Sequence, residues 1–274
     1  MRVSAAFLPS GETTGSLPLW ILRVGVAACF IGHGMLGVNQ TAAWIPYFAV
    51  AGVGPAQAWD LMPWVGVFDV AMGLSVLFYP VRAIVAYMLV WAAWTALLRP
   101  LAGESFWEAI ERAGNYGAPL ALYLLFSGDS EKQVWFSRRF RDPRTEASSR
   151  TIARVLRLTT GLLLLGHGAL NWIVLKPVFS AQYSMLGLPE PTAAPLIGVF
   201  ECLLALAVLL TPNRWLLLAV VGWKLATEAL YPMSGSPFWV LVEHGGSYAA
   251  PLALAFLLPN ARLLLTASAP APAR

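Results

Sequence analysis

The chain has 274 residues, of which 58% are hydrophobic and 12% charged, with 12 Trp, 20 Pro and a formal charge of +4. That balance excludes an ordinary soluble domain and points to a polytopic membrane protein. No base-reading motif accompanies the positive charge, so nucleic acid is excluded as a partner and the charge reads as contact with anionic lipid headgroups.

Residues 1–16 form a short N-terminal segment ahead of a first apolar run near 17–36. The run lacks a small-residue cleavage site and is long enough to span, so it is expected to remain as an uncleaved first helix. Runs near 62–79, 81–98 and 105–126 follow, then a basic segment at 127–150, then runs near 152–175, 194–211, 213–230 and 237–258. Each approaches the roughly 17–25 residues that cross a hydrocarbon core, which predicts eight transmembrane helices. Pro80, Pro100, Pro212, Pro232 and Pro259 are expected at or just beyond helix ends, where a missing amide donor does least harm. The tail at 260–274 is too rich in Ala and Pro to fold alone.

Lys132, Arg138, Arg139, Arg141, Arg144 and Arg150 make 127–150 a cytoplasmic linker by the positive-inside rule. Counting spans outward from it places both termini, Arg82 and Arg214 on the same side. The opposite loops, 37–61 and 172–193 with the turns near 100 and 232, carry only Arg99 and Lys176 as basic residues. The expected location is a bacterial-type inner membrane. Trp135, Phe136 and Phe140 among the linker arginines read equally well as an interfacial anchor or as part of a solvated basic loop.

The chain repeats itself. "LRVGVAACFIGHG" at 22–34 aligns with "LRLTTGLLLLGHG" at 156–168, pairing Arg23 with Arg157 and His33 with His167. "VGVFDVAMGLSVLFYP" at 65–80 matches "IGVFECLLALAVLLTP" at 197–212 and superposes Asp69 on Glu201, with Trp91 on Trp223 and Thr95 on Thr227 beyond it. "FWEAIERAGNYGAPLAL" at 106–122 matches "FWVLVEHGGSYAAPLAL" at 238–254, pairing Glu111 with Glu243 and Asn115 with Ser247. A four-span unit, 17–126, is thus followed by a second, 151–259. Four is even, so the units are parallel repeats about an axis along the membrane normal. The predicted fold is all-α, two tandem four-helix bundles.

By helical rise, His33, His167, Glu111, Arg112, Asn115, Lys224, Glu228, Glu243 and His244 all fall in the outer leaflet, with Asp69 and Glu201 near mid-span. Intramembrane ionisable groups cost about 2.5–3.5 kcal/mol each on insertion scales, so they are expected to face inward and pair. Helical spacing offers Glu108 with Arg112 and Lys224 with Glu228, and puts Glu111 and Asn115 on one face. Depth alone would let Asp69 meet Arg112 or Arg99, and Glu201 meet Lys224. Such a network either locks helices in register, with Gly32, Gly34, Gly166 and Gly168 permitting close approach, or lines a pocket for a small molecule or protons.

Haem is disfavoured, because one histidine per half leaves the usual axial pair incomplete. No tight cluster of His, Cys and carboxylate recurs in the two halves, so no metal site is expected. Cys29 and Cys202 form no C-x-x-C, which argues against a thiol–disulfide relay.

A four-span unit with Arg and then GHG in its first span, "GVFD" or "GVFE" in its second and "ERAGNYGAPLAL" in its fourth resembles the DoxX/DoxD-like membrane proteins. The resemblance covers both halves, and the duplication departs from the single four-helix unit typical of that family. It implies a compact membrane bundle associated with respiratory or redox complexes, including a quinone-reducing oxidoreductase subunit. The positions matching the family pattern are Arg23, His33, Asp69, Glu111 and Asn115, and in the second half Arg157, His167, Glu201, Glu243 and Ser247.

The expectation is a redox subunit that binds a quinone or another lipid-phase molecule in an outer-leaflet pocket. His33 or His167 would exchange a proton with it while Asp69 or Glu201 tunes the imidazole or passes the proton on. Arg23, Arg99, Glu111, Arg112, Asn115, Arg157, Lys224, Glu228, Glu243 and His244 are candidates for binding. A partner protein would supply electrons, and self-association is left open. A solute or ion transporter is the second reading, though the repeats are parallel and the spans lack paired Gly/Pro interruptions. A structural or assembly protein with buried charges used only for packing is the third.

Overall fold

The computed structural model describes residues 16–127, 135–143, 146–189 and 191–258. The N-terminal segment before Ser16, Lys132, Arg144, Pro259 and the tail 260–274 lie outside the described residues.

Extended Ser16 precedes α1 (Leu17–Val38), with Pro18 in its first turn where proline's fixed φ suits a helix start. A short α2 (Ile45–Val50) follows a single 3-10 turn at Ala42–Trp44. Next comes α3 (Pro55–Phe78), which opens on Pro55 instead of near 62. Hydropathy marks only the apolar part of a span, and this helix runs on past it. Then come α4 (Arg82–Leu101), α5 (Phe106–Glu111) and α6 (Ala113–Leu124). The second half holds α7 (Glu146–Ala169), α8 (Pro177–Ser184), α9 (Ala193–Leu210), α10 (Arg214–Met233), α11 (Phe238–Glu243) and α12 (Gly245–Leu257).

Six helical stretches among the described residues are long and apolar enough to cross a membrane, and a seventh is gained if the bent pair at 149–184 counts as one span. The protein is therefore a multi-pass α-helical membrane protein. The stretch at 106–124, which carries Glu108, Glu111 and Arg112, is not among them.

Several sequence expectations need amendment. Pro100 and Pro232 lie inside the last turns of α4 and α10, and each helix is then ended by a glycine in the left-handed region, Gly103 at φ +94° and Gly235 at φ +89°. The spans are not uninterrupted. α5 and α6 are separated by Arg112 (φ −78°, ψ 15°), and α11 and α12 by His244 (φ −82°, ψ 13°). In each case a tight turn replaces the helical bond, Asn115 N–H donating to Arg112 and Ser247 N–H to His244. α7 widens into a π turn at Leu170–Val174, passes a left-handed Leu175 (φ +56°) and bends by 93° into α8. The linker carries a two-stranded ladder, β1 (Phe126–Ser127) with β2 (Arg139–Phe140), which seats Phe140 on Phe126 at 4.3 Å while Trp135 and Phe136 stay exposed.

One apolar core runs through both halves, from Leu19, Leu22 and Val26 of α1 to Leu156 and Leu163 of α7 and Leu254 and Leu257 of α12. The halves are therefore not separate bundles. α1 packs on α3 of its own half but also on α11 and α12, and α7 packs on α9 but also on α5 and α6. Small residues make this possible, since their backbones approach without intervening side chains. α3 and α4 touch only lightly, which leaves a cleft between them with α1 at its back and α2 over its end.

Candidate functional site

Two glycines flank each histidine because α1 and α7 are each gripped from two sides. Gly32 sits against the backbone of Glu243 in α11, and Gly34 against Gly66 in α3. Gly166 sits against the backbone of Glu111 in α5, and Gly168 against Gly198 in α9. The histidine between them is held at a set height and points at the acid of the neighbouring helix. His33 Nδ1 lies 2.8 Å from Asp69 Oδ2, and His167 Nδ1 lies 2.6 Å from Glu201 Oε2.

The two pairs differ in finish. Glu201 has one methylene more than Asp69, and its second oxygen accepts from Trp223 Nε1 at 2.8 Å while Asn171 donates to His167 O at 3.1 Å. Asp69 Oδ1 and Trp91 Nε1, at the equivalent positions, are buried without a hydrogen-bond partner. The His167 side chain is 3% exposed and meets the edge of Phe179 at 4.9 Å. The His33 side chain is 22% exposed and stacks on Trp44 at 4.4 Å.

His33 opens onto a cavity of about 350 Å³ in the cleft between α3 and α4. Its walls are Trp44, Tyr47 and Phe48 at the α2 end, Leu61, Trp64 and Val65 of α3, and Trp91, Trp94, Thr95 and Leu98 of α4, with Arg99, Arg112 and Asn115 behind. A smaller space of about 20 Å³ extends inward beside Cys29, Ala92 and Asn115. This is the composition of a small-molecule site, mostly apolar and aromatic with a few convergent polar groups. Trp64 is 73% exposed on the outer surface of the bundle, so the cavity opens to the outside between α3 and α4.

Polar groups tie the rim. Tyr47 donates to Glu104, and Arg99 bridges Glu104 at 3.3 Å and Glu108 at 3.5 Å. Lys176 from the second half reaches Glu108 at 2.5 Å. Burial pushes the Tyr47 phenol up to about 12, so it remains a donor at neutral pH.

Behind the cavity the halves meet through charges. Arg112 faces Glu243 at 3.5 Å, and His244 faces Glu111 at 3.5 Å and Glu228 at 3.4 Å while its Nδ1 donates to Val240 O at 2.7 Å. Lys224 pairs with Glu228 at 2.5 Å, as helical spacing suggested. The other pairings inferred from depth and spacing differ: Asp69 meets His33 and not Arg112 or Arg99, Glu201 meets His167 and Trp223 and not Lys224, and Glu108 takes Lys176 and Arg99 and not Arg112. Depth fixes the layer of a group and says nothing of the direction it faces.

Glu111, Glu228 and His244 bring ligand atoms within 4.8 Å of one another, a cluster assembled from α5, α10 and the α11–α12 turn that a search within each half could not find. The Lys224 ammonium already supplies the counter-charge there, so the donor set fits an ion-pair network and not a divalent cation.

Of the sequence candidates, His33, Asp69, Arg99, Arg112 and Asn115 gather at or behind the cavity. His167, Glu201, Lys224, Glu228, Glu243, His244 and Glu111 lie in the buried network beyond it. Arg23 and Arg157 stand apart, about 15 Å along the helix from the histidines. Arg23 donates to Val76 and Leu77 carbonyls (3.2 and 2.5 Å) and Arg157 to Leu209, capping the C-terminal ends of α3 and α9. The aromatic wall was not anticipated; its only signal was the density of Trp between 44 and 94. Comparison with protein-family models, curated proteins and solved structures finds no match for this chain.

Proposed function

We propose that the chain is an eight-span protein built from two DoxX-like repeats, and that its first half binds a lipid-soluble ring compound, of the quinone class, in the Trp-lined cavity. The observation that carries this reading is the His33–Asp69 pair at the inner wall of an aromatic cavity that opens on the outside of the bundle, the side that in this reading faces lipid. A planar, weakly polar ring entering sideways between α3 and α4 would stack on indoles and meet an imidazole at the end of its path.

With Nδ1 committed to the Asp69 carboxylate, Nε2 is the nitrogen left for a ligand. Neutral, it accepts the proton of a hydroquinone hydroxyl; protonated, it donates to a quinone carbonyl oxygen. Asp69 fixes the tautomer and stabilises the imidazolium that forms. The chain's own part is binding and proton transfer, and the electrons pass to or from a partner protein. We place the cavity at the outer leaflet of a bacterial-type inner membrane with both termini cytoplasmic, a reading supported by the positive-inside bias of the sequence. The buried ionisable groups other than Arg23 gather at one end of the bundle, whereas the core between α1, α7 and α12 toward the other end is built mainly of Leu, Val and Ala, which favours a lateral pocket over a route through the membrane.

The test is a titration of detergent-solubilised protein with a short-tailed benzoquinone, followed by tryptophan fluorescence. Saturable quenching is expected, weakened about tenfold or more in His33→Gln and Asp69→Asn, in line with a charge-assisted hydrogen bond of about 1.5–3 kcal/mol. Quenching that rises linearly without saturation would remove this reading.

A further inference from the structure

We infer that the protein holds one ligand per chain, in the first half, and that the second half's equivalent site is plugged by its own side chains, with the buried Lys224–Glu228 pair as the wedge. This inference rests on the pocket reading above and adds which repeat works and why the other does not.

At the repeat offset, Lys224 and Glu228 occupy the positions of Ala92 and Ala96. Ala92 borders the inner extension of the cavity beside His33 and Asn115, where a methyl leaves room. Lys224 and Glu228 are buried at 1% and 0% exposure, so two long side chains stand where the first half has two methyls. The covering segments differ in the same sense. α2 has no fully buried residue, and its Tyr47 and Phe48 serve as cavity wall. The 93° bend after α7 turns α8 inward, burying Phe179, Gln182 and Tyr183 and laying Phe179 over His167. The acid–histidine pair is saturated as well, because Trp223 takes the Glu201 oxygen whose counterpart on Asp69 has no partner. Room, cover and hydrogen bonding thus change together. An open repeat keeps an accessible imidazole and a buried acceptor, and a closed repeat uses the same motif as a rigid support.

The wedge also explains the otherwise costly burial of an ammonium. Lys224 is needed beside Glu228 and Glu111, while His244 replaces the Arg112 of the first half, so the ion pair fills space and balances the carboxylates that join the halves.

Two readouts test this, one of them independent of any ligand. Diethyl pyrocarbonate acylates accessible neutral imidazoles, and peptide mass spectrometry should find His33 modified at least tenfold faster than His167 in folded wild-type protein. Equal rates would overturn the inference. Equilibrium dialysis of the short-tailed benzoquinone should give one bound molecule per chain in wild type. Lys224→Ala/Glu228→Ala, which restores the first half's residues, should raise His167 reactivity at least fivefold and add a second, weaker site. Lys224→Met/Glu228→Gln keeps the bulk and should do neither. If the alanine pair does not fold, Phe179→Ala takes its place as the opening variant, with the same rise at His167 expected. Two sites in wild type, or His167 staying inert in a folded opening variant, would refute the plug. Absence of saturable binding in wild type with His33 still the reactive histidine would instead refute the ligand class and leave the open and closed repeats standing.

Discussion

Replacing Gly32 by alanine would put a methyl carbon 2.3 Å from the Glu243 backbone nitrogen and 2.7 Å from its Cα. Ordinary contact begins at 3.4 Å, so α1 and the start of the α11–α12 turn must part by about 1 Å. Backbone stands on each side of the contact, and no rotamer change can relieve it. The cost belongs at the upper end of the roughly 1–3 kcal/mol seen for overpacking, about 3 kcal/mol. At about 2–4 °C per kcal/mol for a chain of this size, the melting temperature should fall by roughly 6–12 °C. Gly166→Ala, whose added carbon lies 2.2 Å from the Glu111 nitrogen, should fall by a similar amount. Gly222→Ala is the control, because nothing lies within 4 Å of its added carbon. There the gain in helix propensity, up to about 1 kcal/mol, should leave the protein as stable as wild type or more so. Thermal unfolding in one detergent, followed by tryptophan fluorescence and circular dichroism, measures all three. If Gly32→Ala melts within a degree or two of wild type, or Gly222→Ala loses as much as Gly32→Ala, the described grip on α1 is wrong.

Arg112→Leu should cost about 3–5 kcal/mol by stranding the buried Glu243 carboxylate, and Arg112→Met/Glu243→Leu should recover most of that loss in the same melting assay. Trp223→Phe removes the donor to Glu201 and should cost about 1–2 kcal/mol more than Trp91→Phe, whose indole N–H has no partner to lose. Arg23→Gln gives up carbonyl caps on α3 and should lower stability by about 1–2 kcal/mol while leaving benzoquinone affinity within twofold of wild type. A drop in affinity there beyond what the melting curve explains would bring Arg23 into the binding machinery.

Hydropathy located the long helices because their apolar stretches dominate, but it could not find α2 or α8, which are too short to stand out. Internal alignment set His33 against His167 and Asp69 against Glu201, and these turn out to be matched contact pairs. What alignment could not supply was rotation about each helix axis. Depth therefore allows Asp69 to meet Arg112 or Arg99, whereas Gly34 and Gly66 bring its helix close enough for His33. The cross-half contacts were illegible for a related reason. A glycine records that something comes near without naming it, and the partner of Gly32 lies near the far end of the chain. Ala92 against Lys224 was visible as a mismatch, yet it acquires meaning only beside the cavity that one leaves and the other fills.

The grip of α1 by α11 and α12 has a consequence for how the chain is made. The small-residue face around Gly25 and Gly32 is synthesised long before the residues that cover it, Glu243, Gly245 and Ala249. Until then the helices already inserted carry an open backbone groove at Gly25 and Gly32. The native packing of each half is completed by helices of the other. Expressed as two separate polypeptides, the halves should recover the native contacts only as a complex, and a lone half would have to seek that covering surface on another copy of itself.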